Sequence, residues 1–317
     1  MYDKIVVVTR RTRLEELVAR FNTRGQAKFY IEHSGGDFAE YVEEHDAYRR
    51  SLERVQQDLD LGLPRQLLDR SLLPTYTFGG GDLVVTLGQD GLVANTAKYV
   101  GGQPLVPINP DPRRFDGVLL PFLAEQARGA VEAVLAGTAR LREVTLAEAA
   151  LADGQRLLAF NDLFVGARSH VSARYRIHAG GVAEAQSSSG VLVSTGAGST
   201  GWMSSVFNMA RGIASFAGGS ACGEARMAWD DPRLLFAVRE PFLSRHSGVS
   251  VAAGWIPSGG EVVLESLMPS GGVIFSDGVE SDFLEFSSGA VARVRVAPHR
   301  ARLVVGPDAG HGDREGR

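Results

Sequence analysis

Three short stretches of this sequence place polar, chemistry-bearing residues at the ends of apolar runs. The first is Gly88-Gln89-Asp90-Gly91-Leu92, which follows the apolar run Leu83-Val84-Val85. Gly88 and Gly91 flank a single acid, Asp90, and a residue without Cβ lets a ligand approach the backbone or takes positive φ. If residues 92–100 continue as a helix, free N–H groups and the positive end of the helix dipole point at whatever the turn holds, and a polyphosphate suits that arrangement. An ordinary strand-to-helix turn with a solvated acid has the same local signature, so the turn needs partners elsewhere.

Two stretches qualify. In Ala159-Phe160-Asn161-Asp162-Leu163-Phe164 two short polar residues interrupt an apolar strand. Asn161 both donates and accepts while an ionised Asp162 only accepts, a pairing suited to ribose hydroxyls or an adenine edge, although an Asx turn between two strands reads the same way. The other stretch runs from Gly190 through Thr195-Gly196-Ala197-Gly198-Ser199-Thr200-Gly201-Trp202, a strand that ends in a Gly/Ser/Thr loop ahead of a helix over 203–216. Gly196, Gly198 and Gly201 satisfy the GxGxxG dinucleotide fingerprint, yet that motif belongs to a βαβ unit with an acid about twenty residues on. Glu224 stands near that place with no apolar strand leading into it. A Walker A loop is absent, since Lys98 has the wrong glycine spacing.

Composition narrows the classes further. The net charge of −4 provides no global basic field for nucleic acid or an anionic membrane, so any polyanion site must be local. Cys222 is the only cysteine, which rules out internal disulfides and thiolate zinc clusters, and among Gly and Ala it reads as a small apolar residue. None of the seven histidines forms HExxH or a close ligand pair, so no protein metal site is expected; His33, His178 and His246 read as surface or core residues. The chain enters the strand Ile5 to Val8 without a signal-peptide pattern and holds no run of about eighteen apolar residues, so a soluble, cytoplasmic protein is expected.

The elements that must position these residues fall into two groups. From Ile5 to about residue 120, apolar strands (5–8, 83–87, 105–108) alternate with helical patterns. Thr12 and Glu15 have the spacing of a capping box that opens the first helix, with Arg10, Arg11 and Arg13 around it. Tyr41, Tyr48, Leu52, Val55 and Leu59 follow at helical spacing. The prolines of Asn109-Pro110-Asp111-Pro112-Arg113-Arg114 forbid helix just past a strand end, where α/β sheets place ligands. A helix is expected over 121–135. Beyond it come short strands separated by Gly-rich turns, at 140–146, 156–164, 171–178, 190–195, 234–238, 249–254, 261–266 and 272–276, then a pair at 291–296 and 301–305. The expected architecture is an open α/β, Rossmann-like domain over 1–121, an antiparallel β-sandwich domain over 122–290, a return segment over 291–305 and a disordered tail over 306–317.

In this order and spacing, GQDGL, ND and TGAGSTGW resemble the GGDGT loop, the Asn-Asp or Asn-Glu pair and the TPTGSTAY-like loop of the NAD kinase family. VVVTRRTRLEE, INPDPRRFDGVLLP, NDLFVGARSHVSARY, SSSGVLVSTG, LLFAVREPF and FSDGVESDFLEFSSGAV make the mitochondrial-type branch the nearest likeness, over nearly everything to about residue 305. The resemblance implies an α/β domain followed by a β domain, a site in the cleft between them, and transfer of the γ-phosphoryl of ATP, with Mg2+, to the 2′-hydroxyl of the adenosine ribose of NAD. By position, Asp90 matches the catalytic acid, Gly88 and Gly91 the phosphate loop, and Asn161, Asp162, Thr200, Gly201, Trp202 and Ser205 the NAD contacts. Trp202 stands where many members have Tyr. The resemblance also implies a homodimer or higher homo-oligomer. Two residues depart from the pattern. Gln89 replaces a glycine and would strain the loop if positive φ is required there, and Leu92 replaces a threonine. A catalytically impaired NAD-binding regulator is therefore one alternative, and a lipid or sphingoid-base kinase of the related fold is another, although neither a basic amphipathic helix nor a lipidation signal is present. Asp230, Asp231 and Asp277 are further acids that could approach the nicotinamide or a partner subunit, and the sequence does not say which.

Overall fold

The computed structural model describes residues 2–220 and 223–306, so Cys222 and the tail beyond residue 306 lie outside the described residues. Two compact units emerge, one formed by the chain through Arg142 together with the stretch from Arg302, the other by Glu143–Ala301. Each has its own apolar core.

The first unit contains β1 (Lys4–Thr9), α1 (Arg13–Phe21), α2 (Arg24–His33), α3 (Phe38–Asp58), β2 (Arg65–Asp69), β3 (Asp82–Leu87), α4 (Asp90–Ala97), β4 (Pro104–Asn109), β5 (Phe122–Leu123) and α5 (Ala127–Leu135). Its strands pair in parallel in the order β4-β3-β1-β2, with β5 and residues 302–303 of the last strand also on β4. β3 and β4 are buried along their whole length because helices cover both faces, which is why they read as unbroken apolar runs. On one face Ile5, Val7, Val85, Leu87, Val106 and Ile108 meet Tyr48, Leu52, Val55 and Leu59 of α3 and Ala127, Val131 and Val134 of α5. Each fully buried Leu or Val there contributes roughly 1.5–3 kcal/mol.

Local signals held at α1. Thr12 N–H donates to the Glu15 carboxylate at 2.8 Å and Glu15 N–H to Thr12 Oγ1 at 3.2 Å, the expected capping box. The helix expected over 121–135 starts later, at Ala127, because residues 122–123 pair with β4. α2 and β2 carried no clear pattern in sequence: α2 buries only Ala27 and Ile31, and β2 is an edge strand with one buried residue.

The second unit begins within β6 (Leu141–Leu151) and continues through β7 (Arg156–Ala159), β8 (Asp162–Ala167), β9 (Ala173–Ala179), β10 (Val182–Ser188), β11 (Val191–Ser194), α6 (Trp202–Phe216), β12 (Leu234–Val238), β13 (Ala253–Ile256), β14 (Glu261–Ser266), β15 (Gly272–Ser276), β16 (Val279–Glu285) and β17 (Val291–Val304). One sheet is antiparallel throughout, in the order β13-β12-β11-β8-β15-β16. Facing it are the antiparallel run β10-β9-β14-β17 and the hairpin β6-β7. Alternate residues of the two layers, such as Tyr175, Ile177, Leu264 and Val294 against Leu163, Val165, Val193 and Phe236, interdigitate as one core. Met203 of α6 packs on Leu192, Leu235 and Ala237 of the six-stranded sheet.

Three strand expectations are corrected. The run over 156–164 is two strands broken at Phe160-Asn161, the pair over 291–305 is the single strand β17, and the strand expected over 249–254 forms at Ala253–Ile256. Among the described residues no helix is long and apolar enough to cross a membrane.

Candidate functional site

In the first unit, strand order alone singles out one place. From β1 the chain crosses to β2 on one side, and from β3 it crosses to β4 on the other, so β1 and β3 are neighbours whose onward connections diverge. Open α/β sheets hold ligands beyond the carboxyl ends of such a strand pair. Gly88-Gln89-Asp90 follows β3 at that point, and Arg10-Arg11-Thr12 follows β1. Tyr48 ties the two ends together: its hydroxyl accepts from Arg10 N–H and donates to the Leu87 carbonyl, both at 3.1 Å. Burial pushes that hydroxyl's pKa up to about 12, so it remains a donor.

Asp90 is the first helical residue of α4 and is partly exposed. Its Oδ1 accepts from Leu119 N–H at 2.6 Å, which fixes the carboxylate, while Oδ2 has no hydrogen-bond partner among the described residues. The strain foreseen at Gln89 is not there. Gln89 has φ −90° and ψ 170°, ordinary extended backbone, so a side chain at this position costs nothing in conformation. Gly88 and Gly91 do not have positive φ either. What requires a glycine at 88 is space, since a Cβ there would lie 2.6 Å from Leu92 Cδ2. Leu92 is 1 % exposed, so the residue that replaces the expected threonine serves as a core side chain against Gly88. The loop over 109–114 is braced by Asn109 Oδ1, which accepts from Asp111 N–H at 3.0 Å, and by ion pairs from Arg113 and Arg114 to Asp111.

In the second unit, two of the sequence-chosen stretches come into direct contact. Thr195 N–H donates to the Asn161 carbonyl at 2.9 Å, and Thr195 Oγ1 donates to the Phe160 carbonyl at 2.6 Å and accepts from Gly198 N–H at 3.2 Å. Gly198 packs so closely that a Cβ would overlap the Asn161 carbonyl oxygen. Thr200 and Gly201 sit exposed in the turn before α6, and Ser205, also exposed, returns its N–H to the Gly201 carbonyl at 3.2 Å. The Rossmann reading of this loop fails because β11 is antiparallel to both its neighbours. Trp202 is already engaged: its indole lies 5.7 Å from the Phe164 ring at 14°, with the Arg239 guanidinium 5.2 Å from the ring centre.

One residue was undervalued in sequence. Asp277, at φ 53° just after β15, accepts from three backbone amides of the Asn161 turn: Phe160 at 3.0 Å, Asn161 at 2.6 Å and Asp162 at 3.2 Å. Its own N–H donates to the Asp162 carbonyl at 3.0 Å. The only local signal was the turn-like Ser276-Asp277-Gly278. The Asp162 carboxyl, 9 % exposed, has its pKa pushed up to about 7, first by burial and then by the negative charge of Asp277. Near neutral pH it therefore exists in both its hydrogen-bond-donating and its ionised form.

Asp90, Gly88 and Gly91 thus belong to the first unit, and Asn161, Asp162, Thr200, Gly201, Trp202 and Ser205 to the second. Among the described residues no three His, Cys, Asp or Glu side chains cluster to hold a metal. No protein-family model matches this sequence, and no curated protein matches it at a significant level. Among solved structures, the crystal structure of yeast NADH kinase complexed with NADH is similar over 96 % of this chain and 84 % of that one, with a TM-score of 0.54 and 18 % identity. At that identity the likeness establishes architecture: the chain has an NAD kinase-like fold, a parallel α/β unit joined to an antiparallel β unit.

Proposed function

We propose that this protein is an NAD kinase, moving the γ-phosphoryl of ATP to the 2′-hydroxyl of the adenosine ribose of NAD. One observation carries the reading. In a fold similar to that of an NADH kinase, Asp90 stands partly exposed at the carboxyl end of β3, where the strand connections diverge, with one carboxylate oxygen anchored and the other unengaged.

A ribose hydroxyl is a poor nucleophile, and a carboxylate in hydrogen-bond reach orients it and accepts its proton. Asp90 takes that role through Oδ2. The amides at the start of α4 supply fixed donors for phosphate oxygens. Asn161 and Asp162, locked by Thr195 and Asp277, hold the dinucleotide, with Thr200, Gly201, Trp202 and Ser205 as further contacts. Phe164 and Arg239 hold the Trp202 indole in place for that contact. Magnesium bound to the ATP phosphates would supply charge neutralisation for the transferring phosphoryl group. An impaired regulator loses its main support, because the Gln89 backbone is unstrained.

Purified protein given NAD and Mg-ATP should form NADP, and Asp90→Asn should lower the rate by roughly a hundredfold or more. If well-folded protein makes no NADP or NADPH from ATP or polyphosphate, with NAD or NADH as acceptor, the proposal is wrong.

A further inference from the structure

The arginines around the start of α1 were ambiguous in sequence, and the structure separates them. Arg10 and Arg13 converge on Glu44, at 2.8 and 2.7 Å. Burial alone would raise the Glu44 pKa, but hydrogen bonds from Arg13 and Arg10 outweigh it and hold the carboxyl below its ordinary value. These two guanidinium groups therefore share one carboxylate within the fold. Arg11 does not share it. It lines a cavity of about 680 Å³ beyond the carboxyl ends of β1 and β2, walled by α1, the start of α2 and α3.

Arg24 and Arg49 line the same cavity, and like Arg11 they have no carboxylate partner among the described residues. The two acids in the wall are already engaged: the Glu15 carboxylate accepts from Thr12 N–H at 2.8 Å, and Asp69 Oδ1 from Ser71 N–H at 2.9 Å. Arg10 also faces the cavity. Its side chain is only 10 % exposed, yet its Nε makes no hydrogen bond among the described residues. That Nε is sealed from solvent, and the guanidinium lies 5.3 Å from the Tyr48 ring centre and 5.8 Å from that of Phe115, so Arg10 builds the wall of the cavity and leaves ligand contact to the other arginines. Part of the helix start is closed off by the Thr12 capping box, so the arginines must supply most of the attraction.

We infer that this cavity binds a phosphate or pyrophosphate group, using the guanidinium groups of Arg11, Arg24 and Arg49. Arginine is suited to this because its planar donors match phosphate oxygens two at a time. The inference stands apart from the kinase reading, since it concerns binding of an oxyanion and needs no turnover. Two sources share the chemistry: the polyphosphate end of the nucleotide donor, and a separate phosphorylated effector.

Calorimetric titration with inorganic pyrophosphate tests it on the full chain, with and without a non-hydrolysable ATP analogue. Wild type should bind pyrophosphate, more weakly as salt rises. The double variant Arg11→Ala/Arg49→Ala should bind it at least about tenfold more weakly while melting like wild type. Should that variant fold poorly, Arg24→Glu provides the same comparison from the exposed start of α2. Competition between pyrophosphate and the analogue assigns the site to the donor, and additive binding assigns it to an effector; both support the cavity. Pyrophosphate binding that is absent from wild type, or undiminished in the folded variants, overturns it.

Discussion

Replacing Asp162 by Asn tests how the second unit holds its candidate dinucleotide turn. Asp162 is a carboxyl whose pKa rises from 3.8 to about 7 on folding, by burial and by the charge of Asp277. A carboxyl with a raised folded pKa stabilises the protein fully below its unfolded pKa, and that contribution is lost as pH rises through the folded value. The window here runs from about pH 4 to about pH 7. At about 1.4 kcal/mol per pKa unit, the loss due to Asp162 between about pH 5 and about pH 8 is on the order of 2–3 kcal/mol. The amide of Asp162→Asn does not titrate, so the variant should lack this part of the pH dependence. All three tryptophans, Trp202, Trp229 and Trp255, lie in the second unit, so indole fluorescence during urea unfolding reports that unit alone. With a urea slope of about 2 kcal/mol/M, the wild-type midpoint should fall about 1 M further than that of Asp162→Asn over this pH range. Histidines in the unit are common to both proteins and cancel in the comparison. Parallel midpoints for the two proteins would show that Asp162 is not buried beside a charged Asp277, and the account of the turn would fail.

Three further outcomes follow from the geometry. Gly198→Ala places a methyl on the Asn161 carbonyl oxygen and should cost about 3 kcal/mol or more by thermal melting, with NAD binding lost in calorimetry. Gln89→Gly should change stability by less than about 1 kcal/mol and leave NADP formation near wild type, because the residue already sits in extended backbone; a large gain in rate would restore the strain hypothesis. Thr12→Ala removes the cap of α1 and should destabilise the first unit by about 1 kcal/mol, measured by chemical denaturation followed by circular dichroism.

What could be read in advance depended on how local the cause was. β3 and β4 were legible because a strand covered on both faces must be apolar along its length, and α1 because its cap is closed by residues three apart. β12, β14 and β15 matched their expected bounds residue for residue, each ending at polar or Gly-rich turns. β2, β10 and β16 were missed because each leaves most of its residues exposed or only half-buried, with little apolar pattern to read. The candidate site divides along the same line. Asp90 and the Asn161 turn announced themselves as polar residues at the ends of apolar runs, but what holds them did not. Asp277 is 117 residues from Phe160, and Leu119 is 29 from Asp90, so neither pairing leaves a spacing to recognise. Gln89 shows the converse. A family pattern suggested strain there, and the backbone dissolves it, because the demand for a glycine falls on Gly88, where Leu92 leaves no room for a side chain. Residue identity thus located the chemistry, while the groups that fix its geometry were set by chain reversals too distant in sequence to leave a motif.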